Sequence, residues 1–186
     1  MTRIPSWLMV ILALLLAVLG GRAISAQDKY TVQVPNGLAF SEFKGYEDWQ
    51  TVSVSQPRRR SLRSSPINVM IDAYWAGIPD NGNPFPDGSK IAKIHWKPKK
   101  STEAPDPTTT VPGTLQNVDF IEKDNKRFAN SGGWRYAAFN YEAGSDSFTP
   151  ATLADQSPQG NDAKCGFACH TIVKAKDYIF TAYPKR

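Results

Sequence analysis

Proline and glycine cut this sequence into short pieces. Fourteen prolines and thirteen glycines fall between the apolar stretches, where each supplies a turn or ends a regular element. Between them lie short alternating runs. A strand is expected over Glu47–Ser55 (EDWQTVSVS), followed by a basic connector, Pro57–Ser65. Ser65-Pro66 reads as a helix start, with serine as N-cap and proline at the first helical position. Val69, Met70, Ala73, Tyr74 and Ala76 give that helix an apolar face, and Gly77 and Pro79 end it. Residues 79–88 read as a turn-rich loop. A second strand is expected over Ser89–Lys97, with Ile91, Lys93 and His95 on one face and Lys90, Ala92, Ile94 and Trp96 on the other. Residues 98–113 read as a loop. Leu115–Lys123 and Trp134–Tyr141 follow as strands, separated by a turn in KRFANSGG. Residues 144–163 are polar. Thr171–Lys176 suits a short helix and Tyr178–Tyr183 a last strand. There is no internal repeat. The pattern predicts an α+β fold, an antiparallel sheet of about five strands with short helices.

The first residues have the form of an export signal. Arg3 precedes an unbroken apolar run at 7–19, and Ala23, Ser25 and Ala26 offer a cleavage site near residue 25 or 26. An uncleaved anchor is the other reading, but a bilayer needs roughly 20 apolar residues. A leader at 1–26 leaves a mature chain of single-domain length, matured outside the cytoplasm, most naturally in a periplasm, with no membrane attachment. Without Arg3 and Arg22 the formal charge falls from +5 to +3, which gives no case for nucleic acid. Arg58, Arg59, Arg60 and Arg63 could dock an acidic partner, though a solvated loop is the plainer reading.

The chemistry concentrates near the C-terminus. Cys165 and Cys169 are the only cysteines, and His170, one of two histidines, follows directly. The spacing C-x-x-x-C-H is one residue longer than the C-x-x-C-H used to attach haem. Three readings stay open. Residues four apart share a helix face, so both thiols could reach haem vinyl groups while His170 binds the iron. A local disulfide would close a tiny loop of little stabilising value. A metal site would have three ligands at most from this cluster, where structural zinc takes four.

Several further segments carry a resemblance. Pro86-Asp87-Gly88 leads into the strand with Lys93. Lys126-Arg127-Phe128-Ala129-Asn130 precedes Gly133-Trp134. Ala168-Cys169-His170 is followed by Asp177-Tyr178-Ile179-Phe180-Thr181. In this order and approximate spacing, from about residue 40 to the C-terminus, the chain resembles the cytochrome P-460 family of periplasmic mono-haem proteins.

The resemblance implies a haem domain over 40–186, preceded by an extended segment at 27–39, with haem c held covalently near the C-terminal cluster. His170 matches the axial iron ligand, and Cys165 and Cys169 match the attachment thiols. Lys93 matches a lysine that hydroxylamine-oxidising members link to the porphyrin edge. Lys90 is the competing candidate, and a solvent-facing strand lysine is the plain reading of Lys93. Asp119 matches a distal carboxylate, an acid/base group beside the substrate; its plain reading is an exposed strand aspartate. His95 reads as a packed polar residue. Met70 is the one candidate for a sixth, methionine ligand, and it belongs to an apolar helix face. The implied activity is oxidation of hydroxylamine or a related nitrogen species at a five-coordinate iron, giving products such as nitrous oxide or nitrite. A gas-binding protein of the beta-type cytochrome c′ kind, taking nitric oxide or carbon monoxide, and a simple electron carrier are the alternatives. A soluble cytochrome as redox partner and a homodimer are implied as well.

Overall fold

The computed structural model describes residues 28–34, 37–55, 61–106, 108–151, 164–180 and 183; for Lys164 and Cys165 it describes the backbone alone. The leader at 1–26, the arginines at 58–60 and the Cys165 side chain therefore lie outside the described residues. Among the described residues six strands form one antiparallel sheet in chain order: β1 (Ser53–Ser55), β2 (Ser61–Pro66), β3 (Lys90–Lys100), β4 (Thr110–Lys123), β5 (Trp134–Glu142) and β6 (Ser147–Pro150). Among the described residues two short helices, α1 (Asn68–Trp75) and α2 (Lys164–His170), and several 3-10 turns complete the α+β fold.

Alternation along the strands gives the sheet two different faces. Ala92, Ile94, Val118, Phe120, Ala137 and Phe139 point to one. The N-terminal residues Val34, Leu38, Phe40, Phe43 and Tyr46 cover them. Phe40 meets Phe120, Phe139 and Phe148 at ring-centroid distances of 5.2, 5.0 and 4.8 Å, and Phe43 stacks on Phe120 at 4.1 Å. Each such pair adds about 0.5–1.5 kcal/mol beyond the area it buries. On the other face, Ile91, Trp134 and Tyr136 pack with Met70, Ala73 and Tyr74 of α1, with Phe85, and with Tyr178 and Ile179.

Several elements differ from the sequence expectation. The strand expected over Glu47–Ser55 survives only as Ser53–Ser55, because Tyr46–Asp48 turns as a 3-10 helix that drops Tyr46 into the aromatic cluster. Ser65 and Pro66 do not start the helix. They end β2, paired with Ala92 and Ile91, and the Ile67 N–H extends the ladder to the Lys90 carbonyl at 3.0 Å. Ile67 is then the extended residue before α1, without a side-chain cap. The expected 98–113 loop shrinks, since β3 runs to Lys100 and β4 begins at Thr110. Pro98 and Pro112 face each other beside a register shift, a place where a proline's missing N–H is tolerated. The polar stretch after residue 144 contains β6, whose Phe148 is buried. Where a last strand is expected over Tyr178–Tyr183, the described residues form none: Asp177 and Tyr178 both have left-handed backbone, φ 48° and 64°, and Thr181 and Ala182 lie outside the described residues.

Phe120 stands at the centre of the sealed face and is fully buried. Phe120→Ala is expected to lower stability by about 3–5 kcal/mol, read from chemical denaturation of the otherwise intact chain.

Candidate functional site

The register of β3 and β4 sets Lys93 directly opposite Asp119. Both project from the face away from the aromatic cluster, where α2 lies across β5. A cavity of about 340 Å³ opens there, lined by Lys93, Asp119, Tyr136, Cys169, His170 and Phe180. Ile91, Ile121 and Ile179 give it apolar walls. Residues from both halves of the chain thus meet around one space. Lys90 belongs elsewhere: its ammonium donates to the Glu42 carbonyl at 2.8 Å and pairs with Glu122 at 3.2 Å.

Gly166 sets how closely α2 approaches the sheet. A Cβ at this position would come within 2.4 Å of Tyr136 Cγ. Glycine alone lets the helix backbone rest on the Tyr136 ring, and that contact carries the next helical turn, with Cys169 and His170, over the cavity. The Cys169 thiol is free and exposed.

His170 is held by three contacts. Its ring lies 4.8 Å from that of Tyr136 and 5.0 Å, edge-on, from that of Phe180. Its Nδ1 is 2.5 Å from the carbonyl oxygen of Tyr178. A carbonyl only accepts, so Nδ1 carries the proton and the neutral ring keeps its lone pair on Nε2. Burial holds the imidazolium below the usual histidine range and the Lys93 charge acts in the same direction, while the Tyr178 bond opposes them. A neutral imidazole with one nitrogen tied to a carbonyl and the other free is the form that binds metals.

Asp119 is gripped from behind. Asn117 Nδ2 donates to its Oδ1 at 2.7 Å, and His95 Nε2 lies 2.8 Å from its Oδ2. Neither ring nitrogen of His95 makes a hydrogen bond, so the contact with Asp119 is one of close packing. His95 is almost fully buried and packs behind the carboxylate, the packed polar residue expected from the sequence. Sequence reasoning passed over three residues here. Asn117 is a strand residue whose role depends on the β4 pleat. Tyr136, whose hydroxyl is buried without a partner, forms the cavity floor under Gly166. Tyr178 contributes only a backbone carbonyl.

The donor set suits a haem. One imidazole nitrogen is free, a thiol stands one residue before it on the same wall, and the surrounding walls are aliphatic and aromatic, as a flat apolar macrocycle requires. Among the described residues no group of three or more His, Cys, Asp and Glu side chains could hold a bare metal ion.

Compared with models of known families, residues 43–181 match the one described as Cytochrome P460. No curated protein matches the chain.

Gly166→Ala is expected to cost about 1–3 kcal/mol by overpacking α2 against Tyr136, read as a lowered denaturation midpoint. The same variant is expected to retain less haem per chain than wild type, measured from absorbance and protein concentration.

Proposed function

The chain belongs to the cytochrome P460 family, a family of haem proteins, and on that premise we propose that it is a haem-dependent oxidoreductase that oxidises hydroxylamine or a related small nitrogen compound. The observation that carries this reading is the placement of a carboxylate, Asp119, and an amine, Lys93, across the same cavity from a metal-ready imidazole, His170. In this reading His170 would bind the iron through Nε2, and Cys169 and Cys165 would hold the porphyrin through thioethers. Lys93 makes a further tie at the porphyrin edge. When bound, the haem would supply an iron able to accept electrons from the substrate.

The protein's own groups do the rest. Neither candidate sixth ligand in the described residues reaches the cavity: Met70 is packed in the core with Phe85 and Trp134, and His95 sits behind Asp119. Oxidising hydroxylamine to nitrous oxide releases protons in equal number with electrons. Asp119, fixed by Asn117 and with its carboxylate partly open to the cavity, is placed to take those protons as general base. Ile91, Ile121 and Ile179 give the space apolar walls. The electrons pass to a soluble cytochrome.

This reading includes export and removal of the leader at 1–26, a periplasmic location, a haem domain over 40–186 and pairing into a homodimer. Among the described residues no helix is long and apolar enough to cross a membrane.

Turnover of hydroxylamine with a cytochrome acceptor tests the proposal. Asp119→Asn is expected to lower kcat by about 10²–10⁴ with haem content unchanged. Tight nitric oxide binding by wild type without hydroxylamine oxidation would replace the enzyme reading with gas binding. Lys93→Ala is expected to keep haem bound and move its absorption bands; a spectrum identical to wild type overturns the cross-link.

A further inference from the structure

The imidazole of His170 hangs on a carbonyl in an unusual piece of backbone. Asp177 and Tyr178, two successive non-glycine residues, both take left-handed conformations, which persist only where the surroundings impose them. The surroundings here are an ion pair. Lys123 Nζ, at the end of β4, lies 2.8 and 3.0 Å from the two carboxylate oxygens of Asp177, and it also donates to the Gly132 carbonyl at 2.9 Å. Asp177 Oδ2 accepts from the Phe85 N–H at 2.8 Å. The Lys123 and Asp177 side chains are only 3% and 10% exposed, and the ammonium lies 5.1 Å from the centre of the Trp134 ring. On the next residue, the Tyr178 ring presses on Gly132, where a Cβ would meet it at 2.4 Å. The ion pair therefore fixes Asp177, Asp177 and Gly132 fix Tyr178, and the Tyr178 carbonyl fixes the Nδ1–H of His170.

We propose that the buried Lys123–Asp177 pair is a positioning device for the iron ligand: it holds the Tyr178 carbonyl against His170 Nδ1 and so sets the ring's orientation and its donor strength toward the iron. A histidine whose Nδ1–H is held by a carbonyl is the more basic ligand. A more basic ligand stabilises the oxidised iron, so the pair lowers the reduction potential of the bound haem. Lys123 and Asp177 act through Tyr178 and touch neither substrate nor cofactor. The inference rests on the haem part of the proposed function and on no particular substrate.

The test uses haem-loaded, full-length protein. Asp177→Asn keeps the shape and the acceptor for the Phe85 N–H while removing the charge; Lys123→Gln keeps a donor for the Gly132 carbonyl. Each is expected to shift the ferrous iron–histidine stretching band to lower frequency by resonance Raman and to raise the reduction potential. Asp87→Asn, at an exposed carboxylate bonded to Asn125, is expected to change neither. A folded Asp177→Asn protein with the wild-type band and potential overturns the proposal. Where the variants fail to accumulate, wild type decides. In its diamagnetic carbon monoxide complex, a slowly exchanging Nδ1–H resonance of His170 is expected, and a His170 ring lacking that proton overturns the proposal. Hydroxylamine turnover enters none of these readouts, so a failed substrate assignment leaves them intact.

Discussion

The pairing of β3 with β4 is the constraint on which the rest depends. Side chains alternate strictly along a strand, so a slip of one residue would send Lys93 into the aromatic core and expose Ala92 and Ile94 in its place. The register is pinned from several directions. Ala92 opposite Phe120 leaves room for Phe43 to stack on that ring. Lys90 faces Glu122 near one end and is paired to it. Pro98 and Pro112 mark the irregular end beyond Trp96. The apolar face is what makes the slip costly. The opposite face inherits the same register without itself having to specify it, and Lys93 and Asp119 arrive at one point as a by-product of packing elsewhere.

That dependence explains what was legible in the sequence. The middle strands carry their own alternation, and β3, β4 and β5 are found where the pattern puts them, apart from longer ends. β1, β2 and β6 are weaker signals. Two are edge strands of three and four residues, and β2 was hidden by the serine–proline pair that imitates a helix start. The segment after Lys176 reads as a strand by composition, yet Asp177 is drawn to Lys123, a residue distant in sequence, and the backbone bends to meet it. Local pattern cannot contain that term. At the site, the C-x-x-x-C-H spacing supplied Cys169 and His170 and the resemblance supplied Lys93 and Asp119, and the fold gathers all four around one cavity. Asn117, Tyr136 and the Tyr178 carbonyl had no local signal, since each matters only through what the fold sets beside it.

The ion pair at the C-terminal segment and the glycine on α2 are two answers to one problem. A short helix outside the sheet buries little surface and cannot hold a side chain to fine tolerance alone. Gly166 removes the gap between helix and sheet, and the Lys123–Asp177 pair ties down the chain that follows. A buried pair of this kind gives little net stability, since desolvation offsets attraction; its worth lies in fixing geometry.

The two faces of the sheet also differ in what they leave open to change. The face under the N-terminal segments is filled by interlocking aromatic rings, and almost any substitution there disturbs a neighbour. The cavity face has its polar groups at separate strand positions, each with its own short list of contacts. Mutation can therefore exchange the side chain at 119 for a neutral or bulky one and alter the chemistry on offer while the sealed face keeps the sheet in register. A lineage built on this plan can diversify its reactions at low structural risk, because the inheritance of shape and the inheritance of chemistry run through different residues of the same strands.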